Sequence, residues 1–235
     1  MHTSIFFFRA ASLALLAACS GVTVPDDGEV EPPPAAGVAG IYMGLRVNGA
    51  GQQYPDYYTF LADGRAFRGT PDEGLDRPLD WAAVCASSEC GTYSVSGSQL
   101  TFARQAADPQ AFTVDADGVL RKPGSTQGYR RMHVMNDVRP GATYGWLSGA
   151  DTMMAITLGT DGRFRERGTL AWTAWSGASA PASGAGTYTV ADGTLTLRYD
   201  GGPVAHLLLA VPPGISPSAA PERVYLRTTM IDRLP

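Results

Sequence analysis

The chain has 235 residues and a formal net charge of −4; 44% of its residues are hydrophobic and 17% are charged. This balance excludes a chain that is disordered throughout, and without a basic excess it is atypical of nucleic-acid-binding proteins. The 28 Gly and 17 Pro residues favour a β protein rich in turns over a helical one.

The N-terminus has the pattern of a secretory signal. A short start ends at Arg9, and residues 10–18 are then apolar apart from Ser12. An apolar run of this length is too short to span a bilayer. We therefore predict that residues 1–18 form a signal peptide that is removed on export.

The signal ends in 16–19, which reads Leu-Ala-Ala-Cys and resembles the lipobox of bacterial lipoproteins. The resemblance implies cleavage before Cys19, whose thiol and new amino group then carry acyl chains that anchor the protein in a membrane. Ser20 implies, by the same resemblance, the outer membrane of the cell envelope, facing the periplasm. The alternatives are an ordinary signal with a chance cysteine, or a Cys19 that forms a disulfide.

Residues 19–39 contain this cysteine and an acidic, Pro-rich segment with three consecutive prolines at 32–34. Such a composition is typical of an extended tether. At about 3.1 Å per residue in polyproline II geometry, the tether spans up to roughly 60 Å.

Cys85 and Cys90 are the other two cysteines. Exported compartments are oxidising, so we predict a disulfide between them. The alternative is a redox pair, but that function favours the spacing Cys-x-x-Cys, and four residues separate these two.

An internal repeat organises the remainder of the chain. Residues 90–102 match residues 185–197 without a gap, at an offset of 95. Further segments recur in the same order: 40–42 with 145–147, 59–65 with 157–163, and 129–131 with 225–227. We predict a duplication, with one β repeat at 40–138 and a second at 139–235.

The repeated segments have the period of β-strands. Tyr93, Val95, Leu100 and Phe102 alternate with small polar residues, and the intervening turn contains Gly97. No segment after residue 40 has a sustained helical period. We therefore expect an all-β protein, a duplicated antiparallel meander with seven or eight short strands in each repeat.

The motif Gly-Thr-Tyr-x-Val-x-Gly-x-x-Leu-Thr-Phe at 91–102 follows Phe-Leu-x-Asp-Gly-Arg at 60–65 and precedes Tyr-x-Arg at 129–131. Together these motifs resemble the small lipocalin-like domains of bacterial envelope proteins, over residues 40–229 in two copies. The resemblance implies two tandem lipocalin-like small barrels or half-barrels that hold a small apolar ligand. The alternative is one larger barrel shared by both repeats.

Catalytic and metal-binding motifs are missing from the sequence. It contains no nucleophile elbow, no phosphate-binding loop and no His-Glu-x-x-His. His133 and His206 are expected to be strand residues rather than ligands, and 115–118 a turn rather than part of a calcium loop. We therefore predict no catalytic residues, no metal and no cofactor.

Both repeats contain a long connector after the third strand. Residues 70–89 include Trp81, and residues 172–185 include Trp172 and Trp175. Connectors of this length are uncommon unless they are functional or disordered, and aromatic side chains near a barrel mouth often line binding sites. We predict a ligand or partner site at these three tryptophans and Tyr58. The alternatives are tryptophans that plug the barrel ends and a Tyr58 that belongs to the core.

These observations predict a membrane-anchored envelope lipoprotein that is not an enzyme. Its β modules are expected to bind a small apolar ligand or a protein partner, and not nucleic acid. The alternatives are a structural or assembly factor of the envelope, which contacts its partner through a strand edge or connector, and a hydrolase of unrecognised type.

Overall fold

The computed structural model describes residues 37–148, 151–167, 183–227 and 229–235. Cys19, Trp172 and Trp175 therefore lie outside the described residues, as do the predicted signal peptide and nearly all of the tether. The described parts of both repeats belong to one compact unit.

The first repeat forms a closed barrel of eight antiparallel strands, in which β8 pairs with β1. A short helix, α1 (Trp81–Ser87), lies between its third and fourth strands. The strands are β1 Gly40–Val47, β2 Gln53–Phe60, β3 Arg65–Phe67, β4 Cys90–Ser96, β5 Gln99–Arg104, β6 Gln110–Val114, β7 Leu120–Arg121 and β8 Gly128–Arg131.

The second repeat closes in the same way, because β10 pairs with β17 and β14 pairs with β15. A short extra strand, β9 (His133–Val134), pairs with β15. The other strands are β10 Ala142–Ser148, β11 Asp151–Leu158, β12 Arg163–Arg167, β13 Ser183–Ala191, β14 Thr194–Tyr199, β15 Val204–Val211, β16 Arg223–Leu226 and β17 Thr229–Arg233.

Two tandem small barrels are therefore confirmed, and the alternative of one larger shared barrel is wrong. Each barrel closes on strands of its own repeat. Closure pairs both edges of each meander, which removes the exposed strand edges of an open sheet.

The strand register corrects one of the sequence matches. Tyr42 lies opposite Tyr58, and Tyr144 lies opposite Ile156, the counterpart of Tyr58 at the offset of 98. Tyr144 is therefore the counterpart of Tyr42, and the match of 40–42 with 145–147 is wrong.

A second match fails for a topological reason. Tyr129 lies on the eighth strand of its barrel, whereas Tyr225 lies on β16, the seventh strand of the other. Arg131 and Arg233 occupy equivalent places, opposite Tyr42 and Tyr144. Ile231, two residues before Arg233, is therefore the counterpart of Tyr129.

Aromatic side chains fill the interior of the first barrel. Tyr58 packs edge to face against Phe102, Phe112 and Tyr129, at ring-centroid distances of 5.1–6.1 Å. Phe60 packs against the same group, and all five side chains are buried. These rings occupy the volume that an apolar ligand inside this barrel would need.

The two barrels meet at a third hydrophobic cluster. Leu208 and Tyr225 of the second barrel are buried against Ile41 of the first. The ring of Tyr57 lies 5.2 Å from that of Tyr225. Outward-facing residues of β1, β2, β15 and β16 thus form a core between the barrels.

The connector after β3 crosses to the second barrel. The backbone N–H groups of Leu75 and Asp76 donate to Thr194 Oγ1 at 2.9 and 3.0 Å. Gly74 has φ +89°, and a Cβ there would lie 2.0 Å from Thr194 Oγ1, so the approach requires glycine. The connector therefore fastens one barrel to the other.

The connector also contains the helix that the periodicity did not predict. α1 has only seven residues and none is buried, so it has no apolar stripe to reveal it. Asp80 caps the helix by accepting a hydrogen bond from Ala83 N. The predicted disulfide between Cys85 and Cys90 is confirmed and joins the helix to the start of β4.

Thr194→Val tests the attachment of the connector. Valine keeps the shape of the side chain but leaves the N–H groups of Leu75 and Asp76 without their acceptor, so we expect the free energy of unfolding to fall by about 1–3 kcal/mol. Urea denaturation measures this change. Thr189→Val, at an exposed position on β13, is the matched control, and an equal loss in both variants would contradict the attachment.

Candidate functional site

The structure places the two described aromatic candidates on opposite sides of the barrel wall. The ring of Trp81 packs against Phe67 on the outside of β3, and the Arg65 guanidinium lies 4.8 Å from its centre. Tyr58 lies in the barrel core. Trp81 and Tyr58 are thus not brought together in one site.

A cavity of about 660 Å³ lies between the connector and the meeting point of the barrels, and we call it the junction cavity. Tyr57 of β2 and Tyr225 of β16 contribute to its wall, together with connector residues 69–73 and 77–80. Ala83 and Val84 of α1 also line it. Its size is within the range of small-molecule sites, roughly 300–1,000 Å³.

The two tyrosines supply ring faces and hydroxyls to the junction cavity. Burial raises the pKa of Tyr57, and the neighbouring Tyr225 raises it further. Burial also raises the pKa of Tyr225. Both hydroxyls therefore stay protonated near neutral pH.

The junction cavity has an acidic lining. Asp72, Glu73 and Asp80 contribute carboxylates, against one cation, Arg77. Burial raises the pKa of Asp72, and the nearby charge of Arg227 partly offsets this rise. The site is suited to a ligand with an apolar body and hydroxyl or amine groups.

Charged side chains converge at one end of the first barrel, and we call this end the charged mouth. Most of these side chains point to the same side of their strands as the core residues. Asp56 lies two residues before Tyr58, and Arg104 lies two residues after Phe102. The group consists of Arg46, Asp56, Arg68, Glu89, Arg104 and Lys122.

Asp56 is the buried centre of the charged mouth, with 6% of its surface exposed. It accepts hydrogen bonds from Arg68 Nε at 2.9 Å and from the hydroxyl of Tyr129 at 2.7 Å. Arg46 Nε and Lys122 Nζ each lie 3.9 Å from Asp56 Oδ2. Burial and the bond to Asp56 raise the pKa of Tyr129.

Glu89 and Lys122 complete the charged mouth. Glu89 accepts from Arg68 Nη1 at 3.1 Å and from Arg104 Nη1 at 3.0 Å. Lys122 donates to the hydroxyl of Tyr58 at 2.9 Å and lies 5.0 Å from the centre of that ring. Burial lowers the pKa of Lys122, although the carboxylates of Asp56 and Glu89 oppose this effect.

Sequence patterns predicted almost nothing of either site. Tyr57 and Tyr225 have the spacing of ordinary strand residues, and the arginines of the mouth stand at strand ends where charge is usually solvated. Only the length of connector 70–89 pointed to the junction cavity.

The histidines show no metal-binding arrangement. Within the described ranges, no group of three His, Cys, Asp or Glu side chains could hold a metal ion. His133 is exposed on β9. His206 contacts Arg77 and Thr196, and burial and the charge of Arg77 lower its pKa.

None of the helices in the part of the chain that the structure describes has the length and apolar character needed to cross a membrane.

Comparison of the chain with models of known protein families, with curated proteins and with solved structures found no match.

Asp56→Asn tests whether the charged mouth depends on its buried carboxylate. The change removes the negative charge that faces Arg46, Arg68 and Lys122, so we expect a loss of about 2–4 kcal/mol in the free energy of unfolding. Urea denaturation is the measurement. Asp117→Asn, at an exposed turn, is the control, and similar small losses in both would show that Asp56 is not needed.

Proposed function

We propose that the protein is a lipid-anchored envelope lipoprotein that binds a small ligand in the junction cavity and catalyses no reaction. The observation that carries the proposal is the 660 Å³ cavity, which the connector closes over Tyr57 and Tyr225. The resemblance of 16–19 to a lipobox supports the anchor and the outer-membrane location.

The position of the cavity supports ligand binding between the repeats rather than inside a barrel. The first repeat contributes the connector and Tyr57, and the second contributes Tyr225. The interior of the first barrel is filled by its own aromatic side chains. Closed eight-stranded meanders also support the likeness to lipocalin-like domains, but here the ligand lies outside the barrels.

The lining favours a ligand with an apolar body and a hydroxyl or amine group. The rings of Tyr57 and Tyr225, with Leu79 and Val84, contact the body. The lining carboxylates outnumber the single lining arginine, so they attract a cationic group and repel an anionic one, and they can accept a hydrogen bond from a neutral hydroxyl.

Cys19→Ala tests the lipid anchor. Without its thiol the chain has no site for thioether acylation, so we expect labelled palmitate to be absent from the variant and present in the parent protein. Fractionation of cells into membrane and soluble material is the second measurement. Membrane association that is unchanged in the variant, or a parent protein without label, would overturn the lipoprotein assignment.

Native mass spectrometry of the full chain, purified from its own membranes, tests the junction cavity. We expect a retained small molecule in the parent protein and its loss in Ala83→Trp, because Ala83 lines the cavity and an indole there fills part of it. Ala82→Trp is the matched control, since Ala82 is exposed on the same helix and does not line the cavity.

The same experiment separates the alternatives. Retention that is equal in both tryptophan variants would place the ligand elsewhere. An empty parent protein with a reproducible crosslinked envelope partner would contradict ligand binding and favour the assembly factor.

A further inference from the structure

We propose that the charged mouth of the first barrel binds a phosphate monoester group, with Arg46 and Lys122 as its hydrogen-bond donors. The site goes beyond the ligand of the junction cavity and depends on different side chains.

The charged mouth carries an excess of positive charge. Among the described residues, Arg46, Arg68, Arg104 and Lys122 form ion pairs with only two carboxylates, Asp56 and Glu89. The four cations are 21–42% exposed, so they are partly removed from water while a ligand can still reach them. An excess of two positive charges in a partly enclosed site attracts anions.

Two of these cations keep donors that the protein does not use. Arg46 and Lys122 lie 3.9 Å from Asp56 Oδ2, beyond hydrogen-bond length, and that oxygen accepts from Tyr129 instead. Lys122 donates one hydrogen bond, to Tyr58, and an ammonium has three N–H groups. Within the described part of the chain, the guanidinium group of Arg46 donates no hydrogen bond.

The other two cations, Arg68 and Arg104, are held in place by hydrogen bonds and contribute positive charge to the site. Arg68 donates to both Asp56 and Glu89, and Arg104 donates to Glu89 and to the carbonyl of Asp108. Glu89 therefore fixes both guanidinium groups beside the free donors. Burial disfavours the charged form of Lys122, and a bound anion would compensate for that cost.

The second barrel shows that closure does not require a charge at the position of Asp56. Met154, Ile156 and Ile231 occupy the positions of Asp56, Tyr58 and Tyr129. All three are buried in an apolar core. The barrel thus closes with apolar side chains at these three positions, although at the position of Arg68 it has a buried Glu166, which accepts a hydrogen bond from Tyr199.

The excess of two charges favours a phosphate monoester over a carboxylate. Such a group carries about −1.5 to −2 charges near pH 7 and three acceptor oxygens, enough for both Arg46 and Lys122. A soluble metabolite and a lipid headgroup offer the same chemistry, so the experiment includes both.

The test is isothermal titration of the full chain in neutral detergent. Inorganic phosphate represents the soluble source, and phosphatidic acid added to the micelles represents the lipid source, with phosphatidylcholine as its control. We expect Arg46→Gln and Lys122→Gln each to weaken binding about tenfold. Arg130→Gln removes the same charge from the exposed outer face of β8 and is expected to change binding less than about twofold.

Glu89→Gln distinguishes a ligand site from a structural ion-pair network. Glutamine has the same length and keeps one carbonyl oxygen as an acceptor for the guanidinium groups, while loss of the negative charge raises the excess positive charge, so we expect phosphate to bind several-fold more tightly. Tighter binding supports the site, whereas weaker or unchanged binding contradicts it.

The two ligand arms complete the test. Binding of inorganic phosphate that depends on Arg46 indicates a soluble ligand. Binding that depends on Arg46 but occurs only with phosphatidic acid indicates a lipid headgroup. The proposal is overturned when neither probe binds, or when Arg130→Gln weakens binding as much as Arg46→Gln and Lys122→Gln.

Discussion

The packing of the outer face of the first barrel against the second is the contact on which the rest of the structure depends. Ile41, Tyr57, Leu208 and Tyr225 point away from the interiors of their own barrels and are covered only because the barrels meet. Burying these side chains removes apolar surface from water, which is the main favourable term in such an interface. The contact also creates the junction cavity, since Tyr57 and Tyr225 form part of its wall.

The duplication gives this protein two copies of one barrel with different chemistry. Strand pairing is the same in both, and the backbone places Asp56 of one barrel where Met154 lies in the other. A buried ion cluster rarely stabilises a fold more than well-packed apolar side chains do. The fold alone therefore does not account for the charged mouth, whereas a ligand would.

The features predicted correctly from the sequence are those that depend on the alternation of residues within a strand and on short spacings along the chain. Tyr93, Val95, Leu100 and Phe102 identified β4 and β5, and the spacing of Cys85 and Cys90 identified the disulfide. β17 and the short helix α1 escaped prediction. The helix has no buried stripe of residues. Because the sequence match pairs Tyr225 with Tyr129, it makes β16 the last strand of the second repeat and leaves β17 unpredicted.

Neither binding site was predictable in detail, because both depend on long-range closure. Asp56 and Tyr129 are far apart in the chain and meet only when the barrel closes. Tyr57 meets Tyr225 only when two closed barrels pack together. Such contacts leave no local period in the sequence. Of the two predicted aromatic positions that the structure describes, Tyr58 contacts the charged mouth and Trp81 lines neither site.

The two sites share a wall although their charges are opposite. Adjacent residues of β2 belong to the two sites: Asp56 lies in the charged mouth, and Tyr57 lines the junction cavity. Ser87 and Ser88 line the junction cavity and also a smaller depression beside Asp56 and Glu89. Glu89 comes directly after these serines and positions Arg68 and Arg104. Residues 87–89 therefore connect the wall of the junction cavity directly to the carboxylate that holds Arg68 and Arg104 in the mouth.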